Sequence, residues 1–135
     1  MKAISLIIML TLTSVGINAQ NVNLGWAKQI GGTNIEYSEA IAVDANRNVY
    51  TTGYFFGTTD FDPGAGVFNM TAAGSGDIYV LKLDSIGNFA WAISIGSATL
   101  DIGSAIAVHG GHVYVAGYFT GTVDFDPGAG TLNFI

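Results

Sequence analysis

The 135-residue sequence contains no cysteine. Disulfides and thiolate metal centres are therefore excluded, and so is a lipid-bearing cysteine at a processed N-terminus; stability must come from packing alone. Charge is also scarce, at 10% of residues, and positive charge scarcer still: only Lys2, Lys28, Arg47 and Lys82. With ten acids and a formal charge of −6, the chain has nothing to replace the counterions of a nucleic-acid backbone, and nucleic acid is not an expected partner. Only two prolines are present, Pro63 and Pro127, and they stand at matching places in a repeated segment. No Ser-His-Asp set, zinc-ligand spacing or phosphate-binding glycine loop occurs.

The first stretch, "MKAISLIIMLTLTSVGINAQ", has one base, an apolar run from Ile4 to Leu12, and small or polar residues up to Ala19. That is the pattern of a secretory signal peptide over 1–19, cleaved between Ala19 and Gln20. A membrane-spanning helix needs about 20 mostly apolar residues, and Thr11, Thr13, Ser14 and Asn18 interrupt this run. The expected location is secreted or on the outer cell surface, with no membrane span after processing.

The remainder repeats. "GYFFGTTDFDPGAG" (Gly53–Gly66) returns as "GYFTGTVDFDPGAG" (Gly117–Gly130). Trp26-Ala27 returns as Trp91-Ala92, and Ala40–Val43 as Ala105–Val108, both at an offset of 65 (91−26, 105−40). From Val49 onward the offset is 64 (113−49). The lost residue falls where "DANRN" (Asp44–Asn48) gives way to "HGGH" (His109–His112), a tight-hairpin signal. A length change confined to a turn leaves strands on either side in register.

The first unit reads as four strands: a, Glu39–Asp44; b, Asn48–Phe56; c, Asp77–Asp84; d, Phe89–Ile95. "DSIGN" (Asp84–Asn88) turns c into d. Leu24–Ile30 matches d and stands ahead of unit one. Strand b alternates Val49, Thr51, Gly53, Phe55 with Tyr50, Thr52, Tyr54, Phe56, and neither set is charged. A sheet with one wet face alternates apolar with polar, so this one is expected to be covered on both faces. Four-stranded blades stacked radially meet that demand. The expected fold is all-β: a β-propeller fragment of about one and a half four-stranded antiparallel blades with a period of about 65 residues, unit one over about 26–90 and a truncated unit two over about 91–135. Small residues in strand a (Ala40, Ala42, Ala105, Ala107) suit a crowded position near the axis.

"AIAVDANRNVYTTGYFFGT…DFDPGAG…GDIYVLKLDSIGNFAWA" resembles the bacterial β-propeller repeat called SBBP. Gly53, Tyr54, Gly57, Asp60, Phe61, Asp62, Pro63, Gly64, Asp77, Lys82, Leu83, Asp84, Gly87 and Trp91 fit its pattern. Arg47 departs from it, standing where glycine is usual, and the His109–His112 turn lacks its Asp and Asn. The resemblance implies a fold and no particular activity. A closed propeller of 4–8 blades at this period needs on the order of 260–520 residues. The chain is therefore expected to be part of a longer one whose other blades are its partners, and to expose an open edge at strand b of unit two.

Loops between d and a, and between b and c, open at one end of the blades and hold Glu36, Glu39, Asp60, Asp62, Asp77, Asp101, Asp124 and Asp126. Only Asp44 and Asp84 fall at the other end. Asp60 and Asp62, like Asp124 and Asp126, are spaced D-x-D. In an extended strand both carboxylates project to one side and can meet a hard cation such as calcium. The competing reading is an aspartate-initiated turn bonded to backbone N–H groups. His109 and His112 face each other across the Gly-Gly link, as surface turn residues or as two ligands of an incomplete metal pair. Three functions stay open. The first is a non-enzymatic binding, adhesion or scaffold module that takes protein or carbohydrate at the cell surface. The second is part of a propeller enzyme (polysaccharide lyase or hydrolase) whose catalytic residues lie elsewhere. The third is a structural spacer.

Overall fold

The computed structural model describes the backbone of Ser5–Thr11 and residues 23–135 in full. The processing site expected at Ala19 lies outside the described residues. Among the described residues the structure is all β, with no helix. β1 (Ser5–Thr11) pairs antiparallel with β2 (Asn23–Ile30). The next four long strands make a single sheet: β3 (Glu36–Val43), β4 (Val49–Phe55), β7 (Asp77–Leu83) and β8 (Phe89–Ile95), side by side in chain order and antiparallel throughout. Between β4 and β7 the chain makes a separate hairpin, β5 (Thr58–Asp60) with β6 (Asn69–Thr71). Unit two repeats the plan with β9 (Ile102–His109) paired to β10 (His112–Tyr118), then β11 (Val123–Asp124) paired to β12 (Asn133–Phe134). The four-stranded sheet is one propeller blade, and β9–β10 is the inner half of the next.

The expected two-sided burial is present in β4 and β7: in each, six of seven residues are buried. On one face Val49 and Phe55 of β4 and Tyr79, Leu81 and Leu83 of β7 form a core with Ile30, Phe61 and Ala92, and Trp26, Met70 and Phe89 pack against it. On the other face β9 lies against β3 and β4. Strand a begins three residues earlier than its alternation indicated, because a bulge between Ser38 and Ala40 breaks the period of two and re-aims what precedes it. Ala40 and Ala42 are half-buried, whereas Ala105 and Ala107 are exposed: among the described residues no further blade lies beyond β9.

Both turns inside the blade are built alike. Asp44 Oδ1 accepts the backbone N–H groups of Asn46 and Asn48, each at 2.9 Å, and Asp84 Oδ1 accepts those of Ile86 and Asn88 at 2.9 and 2.8 Å. Asn48 and Asn88 donate side-chain N–H groups to Oδ2 of the same aspartates. Gly87 has φ 83° and Arg47, at the matching place, φ 65°. Arg47 therefore keeps the turn that glycine would make, in a left-handed conformation that costs an L-residue roughly 1–2 kcal/mol. The "HGGH" link is a two-residue hairpin with φ 58° and 82° at Gly110 and Gly111, as its sequence predicts.

Gly53 is constrained differently. A Cβ there would sit 1.8 Å from the Tyr37 carbonyl oxygen; at Gly117 it would sit 2.0 Å from that of Ile102. Two substitutions of opposite sign follow. Arg47→Gly should raise unfolding free energy by about 1 kcal/mol, and Gly53→Ala should lower it by about 1–3 kcal/mol through forced backbone displacement. Urea unfolding curves of the two variants check both; equal midpoints would contradict the geometry.

Candidate functional site

Register fixes the two ends of the blade. Glu36 pairs with Phe55, and Phe55 with Asp77, at one end; Val43, Val49 and Leu83 lie level at the other, beside the Asp44 and Asp84 turns. Asp101 joins the first end, its N–H donating to the Gly76 carbonyl at 2.9 Å. The segregation of Glu36, Asp77 and Asp101 from Asp44 and Asp84 is thus as the strand order indicates.

Asp60 and Asp62 are carried differently from the expectation of an open rim loop. The β5–β6 hairpin leaves the first end and folds back over the blade: Phe61 meets Phe55 and Tyr79 at centroid distances of 5.1 and 5.0 Å. Phe68 meets Phe89, the residue that opens β8 at the far end, at 4.8 Å. Nor do the two aspartates share an extended strand. Asp60 ends β5, and its Oδ1 accepts the N–H of Asp62 at 3.0 Å and of Phe68 at 2.8 Å. Asp62 Oδ1 accepts the N–H of Gly64 at 2.7 Å. In unit two Asp124 holds Asp126 and Leu132 at 3.0 and 2.7 Å, and Asp126 holds Gly128 at 2.8 Å. The agreement within 0.1 Å shows one device made twice. A calcium ion at either pair would draw on the second oxygens, Oδ2, and on loop carbonyls. No group of three or more His, Cys, Asp or Glu placed to hold a metal occurs among the described residues. His109 and His112 are opposite each other in register and exposed.

The first end also contains a set of buried acids that strand alternation does not reveal. Glu36 is 3% exposed, Asp77 3% and Asp101 0%. Each accepts the N–H four residues upstream: Gly32 to Glu36 Oε1 at 3.3 Å, Ala73 to Asp77 Oδ2 at 3.0 Å, Ser97 to Asp101 Oδ2 at 2.6 Å. Glu36 and Asp101 are repeat equivalents (101−36 is the offset of 65), and that was the signal available in the sequence. Asp101 Oδ1 further accepts Thr120 N–H at 3.0 Å, and Glu36 Oε1 accepts the Thr59 hydroxyl at 2.7 Å. Asp77 Oδ1 is buried without a partner among the described residues. Burial pushes the Asp77 carboxyl above its ordinary 3.8, the Ala73 N–H opposes this, and the Asp101 charge adds to the rise. The turn acids move the other way. The N–H groups of Leu132 and Asp126 hold Asp124 down. The Asn88 N–H holds Asp84 down, against a smaller effect of burial. At Asp44 burial pushes up, but the bonds from Asn48, Tyr50 and Asn46 together outweigh it.

Residues 25–54 match the family model of SBBP, a beta-propeller repeat. The chain is also 32% identical over 110 residues, 70% of its length, to an uncharacterized WD repeat-containing protein of Acanthamoeba polyphaga mimivirus. It spans 8% of that protein's length.

Asp60→Asn keeps an acceptor at Oδ1 and should preserve stability, whereas Asp60→Ala should lose about 1 kcal/mol. Thermal melts with and without millimolar calcium decide between turn and cation. Turn chemistry alone leaves the melt indifferent to calcium. A calcium-dependent rise that disappears in an Asp60→Asn, Asp62→Asn double variant would establish a cation site.

Asp77 gives a pH signature. Its folded pKa is raised, so its contribution to stability is complete below 3.8 and is lost as pH rises through the folded value. Asp77→Asn should therefore melt higher than the natural chain at pH 7, with the gap closing as pH falls through the raised folded value and gone below pH 3.8. Asp84 and Asp124 have lowered values, so both proteins should lose stability at still lower pH. A constant gap from pH 3 to pH 7 would contradict the assignment.

Proposed function

Because the chain belongs to the SBBP beta-propeller repeat family, we propose that it works as a non-enzymatic binding or scaffold module of a propeller, exported to the cell exterior, where it takes a protein or carbohydrate partner. The observation that carries this reading is how the repeated acids are used. Asp44, Asp60, Asp84 and Asp124 each hold two backbone N–H groups with Oδ1. A general acid or base needs a carboxyl facing substrate, and a glycosidase needs two of them in different environments. Here the same residue types maintain turns. What each unit presents outward is a hairpin tip with apolar residues beside acids: Val67 and Phe68 in unit one, Leu132 in unit two, 71%, 38% and 54% exposed. Repeated tips favour multivalent contact over a single reaction centre. Export is supported by the Ile4–Leu12 run and the small residues up to Ala19.

Two measurements on the expressed chain test this. Intact-mass analysis of exported material should give an N-terminus at Gln20; retention of residues 1–19 would remove the exterior location. A panel of cell-surface polysaccharides and proteins should yield retention without turnover. Release of reducing ends or unsaturated sugars, lost on substituting a residue of this chain, would make it an enzyme instead.

A further inference from the structure

The link between β9 and β10 is the place where the internal repeat departs from its own pattern. His109 and His112 are the only histidines of the chain, and both flank that link. Their repeat equivalents are Asp44 and Asn48 (109−44 is 65, 112−48 is 64), and Tyr114 corresponds to Tyr50 (114−50 is 64). In unit one these three side chains meet at one point: Asn48 Nδ2 and the Tyr50 hydroxyl both donate to Asp44 Oδ2, at 2.8 and 3.1 Å. Asp44 also closes the turn through Oδ1. In unit two Gly110 and Gly111 close the turn by backbone conformation alone, so positions 109 and 112 are released from that task. The register sets His109 directly opposite His112, both exposed, and the ring of His112 lies 6.4 Å from that of Tyr114. Residues directly opposite on an antiparallel pair have Cβ atoms about 4.5–5.5 Å apart on one face of the sheet. Two imidazoles at that spacing can each reach one ion at a bond length of about 2.0–2.1 Å.

We propose that His109 and His112 form a two-imidazole chelate for a divalent transition metal of the zinc or copper(II) kind, with water in the remaining positions. Imidazole suits these ions, whereas calcium and magnesium take oxygen, so the site differs in chemistry from the D-x-D pairs. A chain of formal charge −6 favours a cation at an exposed pair of ligands. His109 also borders a cavity of about 300 Å³ shared with Asp44 and Asn46 of unit one, which leaves room for the ion's water. Asp44 is not placed as a third ligand, since both its oxygens serve the unit-one turn. Two protein ligands leave positions open, so the ion is exchangeable, unlike one held in a closed structural zinc site. Access to the pair does not rest on an uncovered blade. The matching turn of unit one has β9 packed against its own strands, yet Ala45, Asn46 and Arg47 stay exposed there and Asp44 and Asn48 only half-buried.

The test titrates zinc chloride into the full chain by calorimetry, with the imidazole proton signals followed by nuclear magnetic resonance. With two histidines in the chain, two sets of ring signals report on this turn alone. Both should move together and saturate at one zinc per chain, and calcium chloride at the same concentration should move neither. Loss of an outer partner of a metal ligand costs about 10–100-fold in affinity, so loss of a ligand itself, in His109→Asn or His112→Asn, should weaken zinc binding by about tenfold or more. Gly110 and Gly111 hold the turn, so both variants should keep the fold, which circular dichroism checks. An Asp60→Asn, Asp62→Asn double variant should bind zinc as the natural chain does. No zinc binding by the folded chain would overturn the proposal. So would binding that survives loss of both histidines, or a response of one ring without the other. One zinc per two chains, with sedimentation as a dimer, would make the ion a bridge between copies and would equally overturn the chelate within one turn.

Discussion

Tyr79 crosses Gly53. Ser38, Gly53 and Tyr79 stand level on β3, β4 and β7, and the Tyr79 hydroxyl reaches Ser38 Oγ at 2.7 Å, two strands away. A Cβ at position 53 would strike the Tyr37 carbonyl and crowd Ser38 Cα at 3.1 Å, displacing the strand that carries the Ser38 hydroxyl. The ring so placed becomes the platform for Phe61, and Phe61 in turn fixes Phe55 and the whole β5–β6 hairpin. Gly53 thus admits the close approach of β3 beside which the Ser38–Tyr79 bond forms, and the Tyr79 ring carries the Phe61 of the Thr58–Thr71 segment. Full burial of an aromatic or leucine side chain contributes about 1.5–3 kcal/mol, so a chain without disulfides has strong reason to keep this row intact.

The second constraint is that β4 and β7 are covered on both faces. A sheet of this kind cannot bury itself; each blade needs a neighbour on either side, and stability is shared between adjoining units as in other repeat architectures. The aspartate turns answer a related need. Tight links between strands of a blade leave N–H groups that no strand can bond. Asp44, Asp60, Asp84 and Asp124 take two each, with geometry that hardly varies from place to place. The acidity of the chain is in large part this turn chemistry, repeated.

These two constraints also explain what was legible beforehand. Strands b and d could be read because they recur at 64–65 residues, strand c from its alternation between two turn signals, and the Gly-Gly hairpin from its turn residues. The hairpin over Thr58–Thr71 could not, since strands of three residues are too short to show alternation. The start of strand a was misplaced by three residues because the bulge at Glu39 shifts the phase. The D-x-D reading assumed an extended backbone, and Asp60 instead ends its strand by turning its carboxylate onto the chain ahead. Arg47 looked like a defect in the repeat; its φ of 65° shows that neighbouring bonds hold the turn against the residue's own preference.

The buried acids were the least legible feature, and their burial has a cost that the turn acids avoid. Asp44, Asp84 and Asp124 lie where their bonds outweigh desolvation, so each favours its charged form. Asp77 sits against Asp101 with one oxygen lacking a partner, and its charged form is disfavoured. Asp101 belongs to unit two and Asp77 to unit one, so this strained pair lies where one blade meets the next, next to the parallel bridge of Gly76 with Leu100. The first end of the blade therefore combines a firm feature with a weak one: N–H groups held by an acid four residues on, and two carboxylates that repel. Lower in the sheet the blades pack closely at Gly103, where an added Cβ would stand 2.3 Å from Thr52 Oγ1 and 2.9 Å from Ile78 Cγ2. Close packing between adjacent units, together with the Asp101 N–H bond to the Gly76 carbonyl at the rim, holds the second unit to the first.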